Sequence, residues 1–248
     1  MSGTPDPAPV RWGILSTAKI AVEKVIPAMQ AAPLCDVVAI ASRDADRARR
    51  AADSLGIPVS HGSYEALLED PSVEAIYNPL PNHLHVLWSV RAAEAGKHVL
   101  CEKPVAMDAA EARELVEARD RTGVVMAEAF MIRTHPQWLD VRDRVRRGEP
   151  GELRLVACQF SYFNDDPSNI RNQLEAGGGA LMDIGCYAVH VSRWLFDAEP
   201  RRVVARIDRD PDFGTDVLTS GILDFGTGRG TFTCGTRLVP YQRVQVLG

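Results

Sequence analysis

Val10-Arg11-Trp12-Gly13-Ile14-Leu15-Ser16-Thr17-Ala18-Lys19-Ile20-Ala21 reads as a short apolar strand that runs straight into a helix. The helical spacing of apolar residues extends over 20–31. Further along, strands are predicted at 37–42, 59–60, 74–78 and 98–101, with helices at 45–55, 64–68, 83–95 and 109–121 between them, and 124–129 is a last strand or a crossover. Such alternation of strand and helix implies a parallel, doubly wound α/β sheet.

The turn after the first strand decides what that sheet could bind. Ser16-x-Ala18-x-x-Ala21 occupies the frame of the dinucleotide fingerprint G-x-G-x-x-G/A, with both leading glycines replaced. A helix N-terminus still offers amides to a pyrophosphate, and Ser16 and Thr17 add hydroxyls. The Ala18 methyl stands where glycine normally lets the phosphate approach closely, and Lys19 and Ile20 complete the candidate turn. An ordinary strand-turn-helix with no ligand is the plain alternative. The second strand ends at Ser42-Arg43, where a carboxylate would select NAD and a hydroxyl followed by a guanidinium suits a 2′-phosphate, so NADP is favoured over NAD. Arg47 and Arg50 reinforce the positive field. After the fourth strand, Tyr77-Asn78-Pro79-Leu80-Pro81-Asn82-His83-Leu84-His85 forms an extended turn along the cofactor edge. Pro79, Asn82 and His85 are candidate cofactor contacts, and Asn82 is a natural helix cap. His83-x-His85 does not read as a metal site, because residues two apart on a helix face different ways and no third ligand is near.

Glu102-Lys103-Pro104 closes the fifth strand. A charged pair at the mouth of a buried strand, followed by a proline that restrains Lys103, is a good place for chemistry. Composition narrows the partners. With 28 basic and 33 acidic residues the net charge is -5, which removes the global electrostatic case for nucleic acid. The five cysteines are scattered without a CxxC pair, suggesting neither a disulfide framework nor a zinc site and pointing to a reducing cytoplasm. No apolar run approaches membrane-spanning length, and residues 1–9 read as a flexible tail rather than a signal peptide.

Beyond residue 129 a second unit begins with a helix at 137–147 and a period-two strand at 153–163. A long polar loop, 163–179, carries Phe163 and Arg171 and reads as substrate-facing or disordered. Gly177-Gly178-Gly179-Ala180 leads into a helix over 181–196, where Asp183, Tyr187 and His190 fall at i, i+4 and i+7. Four more strands follow at 203–207, 217–225, 230–235 and 239–247. These residues divide into a dinucleotide-binding domain over 10–125 and a second α/β domain over 126–248.

The run GILSTAKIA, then SRD, YNPLPNHLH, CEKP, EAFMIRTHPQ and GGGALMDIGCY, in that order, resembles the glucose-fructose oxidoreductase, inositol dehydrogenase and MocA family. It looks most similar to the dihydrodiol dehydrogenase and NADP-dependent xylose dehydrogenase branch. The resemblance implies an N-terminal Rossmann domain and a C-terminal α/β domain whose open, mostly antiparallel sheet covers the nicotinamide pocket and often forms an oligomer face. It implies hydride exchange between NADP(H) and a CH–OH group of a sugar, polyol or dihydrodiol. In the family there is an aspartate and, four positions on, a histidine or tyrosine that exchanges the substrate proton, which map to Asp183 and Tyr187; Asp183 would hydrogen-bond a substrate hydroxyl or orient Lys103. Lys103 would stabilise the phenolate, Glu102 would fix the loop or touch the cofactor, and Arg133, Phe163 and Arg171 are substrate-side candidates. Relatives normally continue past the equivalent of Gly248, so the second domain is expected to be truncated or unusually short with a pairable edge. A dinucleotide-sensing regulator and an inactive fragment are the competing expectations. Lys103, Asp183 and Tyr187 together argue against the regulator.

Overall fold

The computed structural model describes residues 7–248, so most of the tail reading falls outside the described residues. Two compact units divide between Ala129 and Phe130, slightly later than the boundary drawn from the sequence.

The first unit is a six-stranded parallel sheet in the order β3-β2-β1-β4-β5-β6. Its strands are β1 (Val10–Leu15), β2 (Cys35–Ala41), β3 (Val59–His61), β4 (Ala75–Asn78), β5 (His98–Glu102) and β6 (Met126–Ala129). Period-two alternation sends neighbouring side chains to opposite layers. Ile14 thus joins Ile26, Ile40 and Tyr77 on one face, while Leu15 joins Leu67, Ile76 and Trp88 on the other. The helices that cover these faces are α1 (Ile26–Gln30), α2 (Ala45–Leu55), α3 (Tyr64–Glu69), α4 (His85–Glu94) and α5 (Ala109–Thr122). Local chemistry starts several of them: Asp44, Ser63 and Asp108 each accept a backbone N–H of the first turn of α2, α3 and α5. The helix predicted over 20–31 is present, but its first part, Ala21–Val25, is π-helical. Asn82 does not cap α4; it opens a 3-10 turn, Asn82–Leu84, and α4 starts at His85 after an uncapped Leu84.

The second unit builds a five-stranded sheet, order β11-β7-β10-β9-β8, in which only β7 and β10 run parallel. The strands are β7 (Leu155–Phe163), β8 (Arg202–Arg209), β9 (Asp216–Asp224), β10 (Arg229–Gly235) and β11 (Arg237–Leu247). One face is packed by α6 (Pro136–Arg146) and α7 (Cys186–Phe196), with Val156, Cys158, Phe232 and Leu223 meeting Ile184, Val191 and Leu195. The opposite face carries in-register rows such as Val204, Ile222, Thr231, Ala157 and Gln245, and no helix covers it among the described residues.

Lys97 and Asp70 pin the loop before β4 to the start of β5. The nearly buried Lys97 Nζ donates to the Asp70 and Val73 carbonyls, both at 2.7 Å. Asp70 accepts from the Ser72 hydroxyl at 2.6 Å and amide at 2.8 Å, and its other oxygen lies 2.9 Å from His61 Nε2. The Ser72 hydroxyl first, and then its amide and His61, pull the Asp70 carboxyl down to about 2. Because the folded value lies below the ordinary one, Asp70 stabilises the fold at pH above ~4 and loses that contribution as pH falls through its folded value. Asp70→Asn should therefore weaken the acid sensitivity of urea denaturation between pH 4 and 2; an unchanged acid limb would assign the sensitivity to other carboxylates.

Candidate active site

All strands of the first sheet point the same way, so the residues that follow them gather at one edge. Ser16 follows β1, Ser42 follows β2, Pro79 follows β4 and Lys103 follows β5. Between β1 and β4 the strand order reverses, which opens the crevice where doubly wound sheets bind ligands.

At that crevice Ser16 adopts φ 94°, a left-handed conformation that glycine takes without penalty. Its amide donates to the Ala41 carbonyl at 3.0 Å and its hydroxyl oxygen accepts the Ala18 amide at 3.2 Å. The serine thus makes the glycine-type turn and stitches it to β2. Thr17 and Ala18 are half-buried, while Lys19 and Ile20 are exposed, Lys19 forming a surface ion pair with Glu23. At the tip of β2 the Ser42 hydroxyl accepts the Asp44 amide, and Asp44 caps α2. Arg43 is left exposed, and its charge and that of Arg47 act on the Tyr64 phenol while those of Arg50 and Arg47 act on Asp44. Arg43, Arg47 and Arg50 thus give the segment after β2 a positive field, and the left-handed Ser16 turn leaves the start of the following helix open beside it.

The turn after β4 is organised by Asn78, which is fully buried. Its amide donates to the His85 carbonyl and the Ser89 hydroxyl, both at 3.1 Å, and its oxygen accepts the Leu80 amide at 3.3 Å. His85, expected on the cofactor edge, is buried instead, and its two ring nitrogens face backbone carbonyls. Any part it plays toward a cofactor runs through the loops it holds. Glu102 accepts the Tyr77 hydroxyl at 2.6 Å and the Lys103 amide at 3.3 Å, which is the loop-fixing arrangement. Burial, then the Glu102 charge, push the Tyr77 phenol far up, so it remains a donor. The Lys103–Pro104 peptide is cis and Lys103 is half-buried.

In the second unit the three-glycine run explains how the 163–179 loop is held. A Cβ on Gly178 would come within 2.5 Å of the Arg171 carbonyl oxygen, and Gly179 has φ 121° with Asp216 where its Cβ would be. The Gly179 amide donates to the Arg171 carbonyl at 2.9 Å. Buried Asn172 adds a bond to the Asp166 carbonyl at 2.8 Å, and the loop contains 3-10 turns at Ile170–Asn172 and Leu174–Ala176. The loop is thus internally bonded. Asp216 accepts the Leu181 amide and the Thr219 hydroxyl, each at 2.8 Å, and so anchors the start of the next helix.

That helix begins with a π-helical turn, Leu181–Gly185, before α7. Asp183 lies in the π turn and its Oδ2 accepts both the Tyr162 hydroxyl at 2.6 Å and Arg171 Nε at 2.9 Å. Burial, then Asp183, push the Tyr162 phenol well above the usual range, which keeps it protonated. Tyr187 packs against the Phe130 and Phe160 rings at 4.8 and 5.9 Å and lies in the field of Arg171. The structure therefore brings Arg171, Asp183 and Tyr187 together. His190 shares the Phe130 contact with Tyr187: its ring lies tilted against Phe130 at 4.6 Å, its Nε2 has no hydrogen-bond partner among the described residues, and burial, then Arg133, lower its pKa to about 4. It is neutral near pH 7 and serves as packing. Arg133 is exposed near it, while Phe163 stands apart with the Arg237 guanidinium 5.9 Å from its ring. Tyr162, Asn78 and Asp216 escaped the sequence reading. The period-two face Val156, Cys158, Phe160, Tyr162 was the available signal for Tyr162.

Gly179→Ala should cost about 2 kcal/mol or more, because it combines a left-handed φ with collision against the helix anchor. A denaturation midpoint equal to that of the parent protein would show that Asp216 can move aside without consequence.

The first unit matches the model of an oxidoreductase family with an NAD-binding Rossmann fold over residues 10–130. The second matches the GFO/IDH/MocA C-terminal domain over 138–248. An uncharacterised oxidoreductase of Rhizobium meliloti is 54% identical over 96% of this chain and 72% of its own length. A D-xylose 1-dehydrogenase (NADP(+)) of Haloferax volcanii is 44% identical over 94% of this chain and 72% of its own length. Among solved structures, a 3-ketoreductase from Actinomadura kijaniata in complex with NADP and TDP-benzene superposes with a TM-score of 0.91 at 36% identity, covering 97% of this chain and 74% of that one. Together with the crevice at the parallel-sheet edge, these matches show that the chain belongs to the GFO/IDH/MocA family of oxidoreductases.

Proposed function

We propose that this protein is a cytoplasmic NADP(H)-dependent oxidoreductase acting on a CH–OH group of a sugar, polyol or cyclic diol. One observation carries the reading: a single sheet edge gathers the left-handed Ser16 turn, the Ser42-Arg43 tip, the turn of Pro79 and Asn82, and Lys103. The NADP dependence of the Haloferax enzyme and the NADP in the Actinomadura complexes support the cofactor, and a xylose substrate and a ketosugar reductase among the relatives support the substrate class. When bound, the nicotinamide supplies or accepts the hydride.

The chain's own residues do the rest. Amides and hydroxyls from Ser16 to Ile20 hold the pyrophosphate at the helix start. Ser42 and Arg43, with Arg47 and Arg50 behind them, hold the 2′-phosphate and set the preference for NADP. Pro79, Asn82 and Glu102 shape the cofactor edge. Tyr187 exchanges the proton of the substrate hydroxyl. Tyr162 cannot take this role, because its proton is already committed to Asp183. An ordinary phenol ionises near pH ~10, so Tyr187 needs cationic help near neutrality, which Lys103 supplies at the substrate oxygen. Asp183 orients Arg171 toward the substrate, and Arg133 and Phe163 contribute to its selection. The uncovered face of the second sheet provides self-association between copies of the chain.

In steady-state assays with NADP and a panel of aldoses, inositols and dihydrodiols, Tyr187→Phe and Lys103→Met should each lower turnover by at least ~10²-fold while leaving NADPH binding intact. Near-parental turnover removes the residue concerned from the mechanism. In the same series Arg43→Ala should weaken NADPH far more than NADH, and equal losses would reject the 2′-phosphate contact. Light scattering should give a mass above that of one chain; a monomer at assay concentration eliminates the sheet as an assembly surface.

A further inference from the structure

His85 joins the two turns that border the crevice. It opens α4 on the buried stripe of His85, Trp88, Ser89 and Ala92, and only 1% of its surface is exposed. Ring Nδ1 lies 2.8 Å from the Pro104 carbonyl oxygen and Nε2 lies 2.7 Å from the Leu80 carbonyl oxygen. Carbonyls only accept, so each contact is a bond only where the ring carries an N–H. Water cannot substitute at so closed a site. Leu80 is gripped from the other side as well, since its amide donates to Asn78, whose own amide donates to the His85 carbonyl. With a proton on Nδ1, a continuous run of bonds connects α4, the turn after β4 and the Lys103–Pro104 segment.

We propose that His85 is a positioning residue that clamps the Leu80 turn to the Lys103–Pro104 segment and thereby holds Lys103 where the reaction needs it. The proposal rests on the catalytic reading of Lys103. The charged groups facing the ring are Glu102 and Lys103, both from the end of β5, and they act in opposite directions on its proton. Burial is the largest influence and lowers its pKa. A neutral ring donates to one carbonyl at a time, and a protonated one donates to both, so protonation tightens the clamp.

A double-mutant cycle separates the possibilities. His85→Phe keeps a ring but removes both donors, and should lower kcat by ~10-fold or more with NADPH Kd changed by less than ~3-fold. His85→Gln, which can donate to one carbonyl, should recover part of that loss. Placed on Lys103→Met, the His85→Phe change should cost less than ~2-fold more, because the group it positions is gone. If Lys103→Met itself keeps full turnover, the catalytic reading of Lys103 fails. If Lys103→Met is crippled while His85→Phe is not, or if the two losses multiply, the clamp is overturned. Parallel losses in kcat and NADPH affinity would make His85 a cofactor-site residue instead and also overturn it. Should both His85 variants fold poorly, nitrogen-15 spectra of the parent protein decide: the clamp requires a hydrogen-bonded ring N–H protected from solvent exchange, and a freely exchanging ring rejects it.

Discussion

A carboxylate beneath a sheet stays ionised only if its charge is met, and the Asp183 arrangement depends on this constraint. One oxygen receives a phenol and a guanidinium from two different segments, β7 and the 163–179 loop. Removing Arg171 would take an opposite charge away from the mostly buried Asp183, and such pairs break at high cost even where their formation contributes little net stability. The consequence is geometric. Arg171 cannot leave without uncovering Asp183, and the loop that bears it is pressed against the glycines that begin the same helix. Tyr187 follows one turn later on that helix, its ring packed against Phe130 and Phe160, so the proposed proton-exchanging group is placed by the helix that the charge pair helps to anchor.

The first unit uses the same device with different parts. Glu102 takes a phenol from Tyr77, a residue fully buried in the sheet, and the carboxylate in turn meets the Lys103 amide. In both units a tyrosine with a strongly raised pKa acts as a fixed donor beneath a carboxylate. Each site element therefore stands on a proton that does not move, which is the preorganisation that a reaction moving one elsewhere requires.

The elements were largely legible because burial imposes its period on sequence. Short apolar runs marked β1, β2 and β4, period-two alternation marked β7, and helical spacing marked α2, α5 and α7. The C-terminal edge followed from the parallel topology, so Ser16, Ser42 and Lys103 were readable as neighbours of one crevice. What stayed hidden depends on partners distant in sequence or on backbone register. Nothing local says that Tyr162 donates to Asp183, and a π turn leaves no composition signature. The role of His190 was open in the sequence, and its ring packs against Phe130 beside Tyr187. His85 was named for the cofactor edge from its place in the turn after β4, and its burial follows instead from the apolar stripe of α4 that it shares with Trp88 and Ser89.

The loop over 163–179 is fastened by backbone carbonyls and by the side chains of Asn164, Asp166, Ser168, Asn169, Arg171, Asn172 and Gln173, whereas the apolar side chains of Ile170 and Leu174 are exposed. Those side chains are consequently open to drift. Exchange of Ile170 or Leu174 leaves untouched the hydrogen bonds that place Arg171. A loop built in this way can change its exposed apolar side chains by single steps while its polar side chains keep the backbone in place.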